Sequence, residues 1–137
     1  MQYPIAFEDN DTMHSIIFLN IPTATPVSAQ TREEALCKAQ NELIRIFDMY
    51  FKKKIIIPET SSVGESFISI PASMTAKIIL LNALIRTNTT NTRLAKMMNI
   101  RPQEVQRLVS LKHPTKIDTI EKALKALGYN LSLSANI

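Results

Sequence analysis

The sequence predicts an α+β protein built of two parts, a β-β-β-α-β part followed by an all-α part, and three observations lead to this division. β-Rich runs and one amphipathic helix pattern occupy residues 1–70, whereas the hydrophobic periodicity over residues 72–128 is helical. Pro71 lies at the change. The charge changes sign at the same place, because residues 1–70 contain 6 Lys/Arg and 9 Asp/Glu, and residues 71–137 contain 10 and 3. We therefore predict two domains, residues 1–70 and 71–137, with different partners.

The first part begins with two β-rich runs, residues 3–7 and 15–19, which an Asp-Asn-Asp turn signal separates. This pattern predicts a β-hairpin. Two prolines, Pro22 and Pro26, interrupt regular structure after the second run, and a third short strand fits between Pro26 and the helix that follows.

That helix has a clear start and a clear end. Thr31 is a candidate N-cap, because Glu34 stands three residues later and completes a capping box. One apolar stripe follows, wide enough to cover a sheet face, and three consecutive lysines suit the negative end of the helix dipole. A polar loop over residues 59–66 contains Gly64, and residues 67–70 are predicted to form the next strand.

Four helices are predicted in the second part: residues 72–85, a short helix after Thr90, a helix from Pro102 to about residue 111, and residues 117–127. Gly128 is the expected C-terminal cap of the last helix. The tail after it alternates apolar and polar residues, as a strand does. A lone strand is unstable in water, so we expect this one to pair with a second copy of the chain. The predicted dimerisation residues are Leu131, Leu133, Ala135 and Ile137.

The strongest functional motif lies over residues 90–108, where two short helices are predicted to meet across a tight turn. Small Ala95 falls at the point of closest approach, and Asn99 stands at the turn, where asparagine tolerates a positive φ. Leu94, Ile100, Val105 and Leu108 supply the apolar contacts. The segment resembles a helix-turn-helix of the Cro/phage-repressor type, in which the second helix enters the major groove of DNA.

The side chains of the second helix are of the types that bases select. Arginine pairs with guanine, glutamine pairs with adenine, and glutamate accepts a hydrogen bond from cytosine. A helical bundle with a polar outer face is the alternative interpretation, but the positive charge of residues 71–137 favours DNA. The predicted DNA-binding residues are Asn91, Thr92, Arg101, Gln103, Glu104, Gln106, Arg107, Lys112, Thr115 and Lys116, of which the last three are expected at phosphates.

Composition argues against several other functions. One cysteine, Cys37, forms no internal disulfide, and with only 2 His in the chain no zinc site is expected. Glu8, Asp9 and Asp11 are clustered near one turn, where acidic side chains are usually solvated, whereas a two-metal nuclease site needs carboxylates from several elements. His14 is interpreted as a surface turn residue. We therefore expect no enzyme activity, no catalytic residue, no metal and no cofactor.

Membrane insertion and export are not expected either. No stretch of the sequence approaches the length and apolar character of a transmembrane helix. The N-terminus reaches carboxylates within a few residues and lacks the basic start and apolar core of a signal peptide. The expected location is the cytoplasm.

Several short motifs carry a resemblance that covers nearly all of the chain. They are Phe-Asp-Met-Tyr-Phe at residues 47–51, Ile-Pro at 57–58, Leu-Leu-Asn-Ala at 80–83, Thr-Lys-Ile-Asp at 115–118 and Lys-Ala-Leu-Gly at 125–128. With the order of elements and the Leu-Ser-Leu tail, these motifs closely resemble the HicB antitoxin family.

The resemblance implies a truncated ribonuclease H-like first domain that has no nuclease activity and occludes the small ribonuclease toxin HicA. It implies that the second domain binds the operator of the antitoxin's own operon, with or without toxin. A homo-oligomer is expected, a dimer through the C-terminal domain, with a tetramer left open. Asn20 stands where the family usually has Asp, and Ala29 stands where it usually has Gly. Either difference could alter the geometry of its loop, and with it the affinity for the toxin or the choice of toxin.

A regulator from another functional class also fits these patterns. A stand-alone transcriptional regulator would need the same basic helical module, with a first domain that senses a small ligand. Composition does not separate the two, but a short neighbouring gene for a basic protein would favour the antitoxin.

Overall fold

The computed structural model describes residues 1–59 and 65–135, and this part of the chain contains four strands and five helices. They follow in the order β1 (Gln2–Asp9), β2 (His14–Phe18), β3 (Val27–Ala29), α1 (Arg32–Lys53), β4 (Ser66–Ser69), α2 (Ala72–Arg86), α3 (Asn91–Met98), α4 (Pro102–Leu108) and α5 (Ile117–Ala126). The mixed α/β character predicted from the sequence is confirmed.

The four strands form one antiparallel sheet in the order β3-β2-β1-β4. β1 and β2 form the predicted hairpin, and the side-chain oxygen of Asn10 accepts two backbone N–H bonds in its turn, at 2.9 and 2.8 Å. On the other side of β1, Tyr3 lies opposite Ile68 of β4. The hairpin is local in sequence and has a strong turn signal, whereas the β1–β4 pair joins residues far apart in the chain.

Helix α1 packs on one face of this sheet. The ring of Phe47 lies 5.0 Å from the ring of Tyr3, and both side chains are fully buried. At the start of the helix, Thr31 Oγ1 accepts a hydrogen bond of 3.1 Å from the backbone N–H of Glu34, which confirms the predicted N-cap. The cap therefore determines where the helix begins, and burial of its apolar stripe against the strands holds it on the sheet.

Helices α2 to α5 enclose a second hydrophobic core, to which each of them contributes. Its buried members are Ala76, Leu80, Ala83, Leu84, Leu94, Ala95, Val105, Leu108, Ile120, Ala123 and Leu124. Gly128 follows α5 with φ +88°, and the backbone N–H of Tyr129 donates to the carbonyl of Leu124 at 2.9 Å, as expected of a glycine cap.

The chain divides into two compact units. The first comprises residues 1–50 and 57–72, and the second comprises residues 51–56 and 73–137. The short segment 51–56 therefore belongs with the helical unit, although it precedes β4 in sequence. It carries the three lysines Lys52–Lys54, so the first unit contains 3 Lys/Arg and 9 Asp/Glu (net −6) and the second contains 13 and 3 (net +10).

Two segments differ from expectation or lie beyond the described chain. Helix α4 ends at Leu108 rather than near residue 111, because the carbonyls that follow turn toward a buried lysine described below. Residues 60–64, including Gly64 of the predicted polar loop, lie outside the described residues.

The C-terminal tail has no regular secondary structure over residues 130–135 of the single chain. Leu131 packs against the helical core, whereas Leu133 is 70% exposed. Ile137 lies outside the described residues. The strand predicted here depends on a second chain, so it stays a prediction.

Candidate nucleic-acid interface

The turn between α3 and α4 has the backbone that its sequence predicts. Thr90 Oγ1 caps α3 by accepting a hydrogen bond of 3.1 Å from the backbone N–H of Arg93. Asn99 adopts the left-handed conformation, with φ 56° and ψ 47°, and thereby ends the helix. The backbone N–H of Ile100 then donates to the carbonyl of Ala95 at 3.0 Å, which closes the turn.

Burial divides α4 into two sides. Val105 and Leu108 are buried in the helical core, as Leu94 and Ala95 of α3 are. The side chains that point away from this core are exposed, and we call them, with the N-cap residue, the α4 face: Arg101, Gln103, Glu104, Gln106 and Arg107. Within the described chain no side chain of the α4 face is held by an ion pair or hydrogen bond, so all are available to a partner.

The other predicted DNA-binding residues lie on the segments on either side of α4. Asn91 and Thr92 form the first turn of α3, the former half-buried and the latter exposed. Lys112 and Lys116 are exposed in the loop between α4 and α5. Thr115 is half-buried there, and its hydroxyl donates to the carbonyl of His113 at 3.4 Å.

The structure adds two exposed cations that were not among the predicted residues. Arg93 and Lys96 lie on α3, beside its buried Leu94 and Ala95. Their position on the outer side of the first helix follows from the same 3.6-residue period that buries the core residues. Helical periodicity alone was therefore enough to find them.

A buried lysine in α2 organises the loop after α4. Lys77 is 2% exposed, and its Nζ donates to the carbonyls of Arg107 at 3.0 Å, Ser110 at 2.7 Å, and His113. Burial lowers the pKa of Lys77 to about 8, so the amine remains largely charged at neutral pH. Sequence reasoning missed this residue, although a lysine on the apolar side of a helix was a visible signal.

Asp9, one of the acidic residues of the first unit, is paired with two basic side chains. Asp9 accepts hydrogen bonds from Arg32 and from His14 Nδ1, the latter at 2.8 Å, and these bonds lower the pKa of Asp9. The guanidinium of Arg32 also lies 4.2 Å from the centre of the Phe7 ring. His14 is therefore the first residue of β2 and has a carboxylate partner, which corrects its interpretation as a turn residue.

A second paired carboxylate lies on α1. Arg45 donates two hydrogen bonds to Glu42, at 2.8 and 2.9 Å, and the backbone N–H of Thr25 donates a third at 2.8 Å. The bonds from Arg45, followed by the bond from Thr25, lower the pKa of Glu42.

Asn20 is half-buried, and its side-chain oxygen is buried without a hydrogen-bond partner among the described residues.

Within residues 1–59 and 65–135, no group of three or more His, Cys, Asp or Glu side chains could hold a metal ion. No helix there is long and apolar enough to cross a membrane.

Known proteins match this chain over most of its length. The family model described as HicB_like antitoxin of bacterial toxin-antitoxin system matches residues 2–79. Antitoxin HicB 2 of Photorhabdus laumondii subsp. laumondii is 49% identical over 135 residues, which cover 98% of this chain and 96% of the relative. Antitoxin HicB 1 of the same organism is 38% identical, with 98% and 86% covered. Antitoxin HicB of Escherichia coli K12 is 36% identical over 136 residues, with 97% and 98% covered.

The family model covers the first unit and the beginning of α2, and the relatives extend the similarity across the helical unit. Antitoxins of this kind are not enzymes, and their role implies a toxin as partner. The chain therefore belongs to the HicB-like antitoxin family of bacterial toxin–antitoxin systems.

Proposed function

We propose that this antitoxin neutralises a HicA-type, mRNA-cleaving toxin with its first unit, and represses its own operon by binding operator DNA with its second unit. The observation that carries this proposal is the opposite charge of the two units, −6 and +10. A ribonuclease toxin must hold RNA and so presents positive charge, whereas DNA presents phosphates. The proposed setting is the cytoplasm.

The α4 face supports sequence-specific binding of DNA. It combines exposed arginine, glutamine and glutamate side chains on a short helix whose opposite side is buried. These are the side chains that pair with guanine, adenine and cytosine in the major groove. We therefore assign α4 as the recognition helix of a Cro-type helix-turn-helix, with Gln103, Gln106 and Arg107 nearest the base edges.

Phosphate contacts would fix this helix in the groove. Lys112, Thr115 and Lys116 follow α4 in the chain, and Asn91 and Thr92 begin α3 before it, so the segments before and after the recognition helix both offer contacts to the DNA backbone. Contacts of this kind set register without reading sequence. The exposed Arg93 and Lys96 add charge to the same module.

Two copies of the chain would read a palindromic operator. We propose that the tail residues Leu131, Leu133, Ala135 and Ile137 pair with those of a second chain and form a two-stranded seam. The 70% exposure of Leu133 in the single chain supports this, because pairing would remove most of the apolar surface of this side chain from water. Two recognition helices could then lie about 34 Å apart, one turn of DNA.

The first unit offers the toxin an acidic surface. Glu8, Asp11, Glu33 and Glu34 are exposed on the β1–β2 hairpin and the first turn of α1. Charges of this sign speed the encounter with a basic partner, while buried contacts determine how long the complex lasts. The β-β-β-α-β order of this unit agrees with the truncated ribonuclease H-like domain that the family resemblance implies.

Hydrogen exchange of the full-length chain tests both assignments. A labelled duplex from the region upstream of its own gene should slow exchange in α3, α4 and residues 109–116. The toxin encoded beside it should slow exchange within residues 1–50 and 57–72, and should stop cleaving a test RNA. Toxin protection confined to residues 73–135, or unchanged RNA cleavage at saturating antitoxin, would contradict the proposal.

A further inference from the structure

Among the described residues of the helical unit, Lys77 is a charged side chain that is buried, and no step of the proposed function uses it. It lies near the middle of α2, between the buried residues Ala76 and Ile78. A charge in such a place is costly unless its hydrogen-bond donors are all satisfied. The hydrogen-bond partners of the Nζ atom should therefore show why a lysine is buried at this position.

Three backbone carbonyls supply that environment. The carbonyls of Arg107, Ser110 and His113 all accept hydrogen bonds from Nζ, the first two at 3.0 and 2.7 Å. An ammonium group has three donors, so this set is complete. The first carbonyl belongs to the last turn of α4, and the other two belong to the loop that leads to α5.

The three anchored carbonyls stand among the proposed DNA contacts. Arg107 carries one of them and is itself part of the α4 face, while Lys112 lies between the other two and Lys116 follows three residues beyond. Without the ammonium, each carbonyl would keep only a longer local hydrogen bond, of 3.3 Å from the Ser110 N–H, 3.3 Å from the His113 N–H or 3.4 Å from the Thr115 hydroxyl. The one donor that joins all three carbonyls to α2 would be gone, and the loop would be held only by bonds within itself. The position of the loop lysines relative to α4 would then be lost.

We propose that Lys77 is a positioning residue for DNA binding, which fixes from inside the protein the spacing between the base-reading helix and the phosphate-contacting loop. The ammonium also places positive charge at the C-terminal end of α4, where the helix dipole is negative. This inference rests on the proposed function of the helical unit. It adds that the geometry of the interface is set by a side chain that does not touch DNA.

Lys77→Met tests the proposal, because it keeps most of the side-chain length and removes the charge. Its matched control is Lys122→Met, which removes one charge from an exposed position on α5. At neutral pH, Lys77→Met should bind the upstream duplex about tenfold more weakly than the control does, the factor that loss of one interface contact produces. The slope of log K against log salt should fall by about one for each phosphate contact that is lost.

Hydrogen exchange without DNA provides a readout that does not depend on the operator. In Lys77→Met the amides of residues 109–116 should exchange faster, while the amides of α5 keep their protection. If the variant binds the duplex with the affinity and salt slope of Lys122→Met, the inference is wrong. If the wild-type chain does not bind the duplex, the proposed function fails, and the exchange result still decides whether Lys77 positions the loop.

Lys77→Arg decides the case in which Lys77→Met does not fold. Arginine keeps the charge, but one planar guanidinium cannot present a single nitrogen to three converging carbonyls. The Lys77→Arg variant should remain folded, and its affinity for the duplex should be at least about threefold lower than that of the wild type. Where Lys77→Met can also be measured, the affinity of Lys77→Arg should lie between those of the wild type and Lys77→Met. Wild-type affinity together with wild-type exchange in residues 109–116 would overturn the inference.

Discussion

At the scale of single residues, side chains that read bases and side chains that hold phosphates should respond differently to truncation. Gln103→Ala and Arg107→Ala should each cost about 1–3 kcal/mol of operator binding and relax specificity at one base pair. Lys116→Ala should instead weaken binding to every duplex and reduce the salt slope by about one. Gel shifts with the operator and its single-base variants at several salt concentrations measure both effects. If all three variants lost the same affinity for every duplex, the distinction between base-reading and phosphate-holding side chains would be wrong.

Lys77 should also give the stability of the helical unit a pH signature. Its pKa is lowered to about 8 in the folded chain, whereas an unfolded lysine titrates near 10.4. Between these values the unfolded state binds more protons, so this group makes the folded state more stable as the pH rises from about 8 to about 10, and contributes no pH dependence below about 8. Arginine stays charged throughout, which makes Lys77→Arg the reference.

Denaturant unfolding at pH 7, 8, 9 and 10 provides the measurement. The free energy of unfolding of the wild type minus that of Lys77→Arg should be constant up to about pH 8 and then increase. A difference that stays constant to pH 10 would show that Lys77 titrates as an exposed lysine does.

At the scale of elements, local signals were sufficient wherever the determining atoms are close in sequence. Thr31 caps α1 and Asn99 ends α3 as predicted, because a cap needs only its own turn of the helix. The end of α4 was predicted too late, because it depends on Lys77, which lies thirty residues earlier in the chain. The pair of Asp9 and His14 was missed although the two residues are only five apart, because the predicted strands stopped short of both residues and the pair forms only when β1 and β2 align.

The tail provides a prediction at the same scale. Deletion of residues 132–137 keeps Leu131, which packs on the core, and removes the rest of the proposed seam. The truncated chain should still neutralise toxin but lose more operator affinity than any single base contact provides, because a monomer forfeits half of the interface. Sedimentation and gel shifts measure dimerisation and binding.

Two point variants control for the deletion. Leu133→Asp should weaken dimerisation as the deletion does, whereas Ser132→Asp, which makes the same charge change at the neighbouring exposed position, should do so much less. Full operator affinity and a dimeric C-terminal domain in the truncated chain would show that the tail is not the seam.

At the scale of the whole molecule, the partition of charge is sharper than the sequence alone indicated. A division of the sequence after residue 70 gives two parts with net charges of −3 and +7, whereas the two observed units have net charges of −6 and +10. The difference is the segment 51–56, whose three lysines follow the amphipathic pattern of α1 without interruption. Helical periodicity reports that a helix continues, but it does not report which core its last turn joins.

Separate units should give separable functions. A chain with both Arg101→Ala and Arg107→Ala should lose measurable operator binding, yet neutralise toxin at the same molar ratio as wild type, because these residues lie in the second unit. RNA cleavage titrated with antitoxin, beside gel shifts on the same preparations, measures the two functions. Loss of neutralisation together with DNA binding would place toxin contacts on the helical unit.

The division of α1 between the two units also bears on how such antitoxins could exchange parts during evolution. The helix is continuous from Arg32 to Lys53, but its residues belong to the first unit up to Tyr50 and to the second from Phe51. A single recombination crossover at residue 70 would give a hybrid in which residues 51–56 come from one parent and their packing partners from the other. An exchange that leaves both units intact needs crossovers near residues 50, 56 and 72, which makes it a rarer event than a single crossover between two domains that follow one another in the chain.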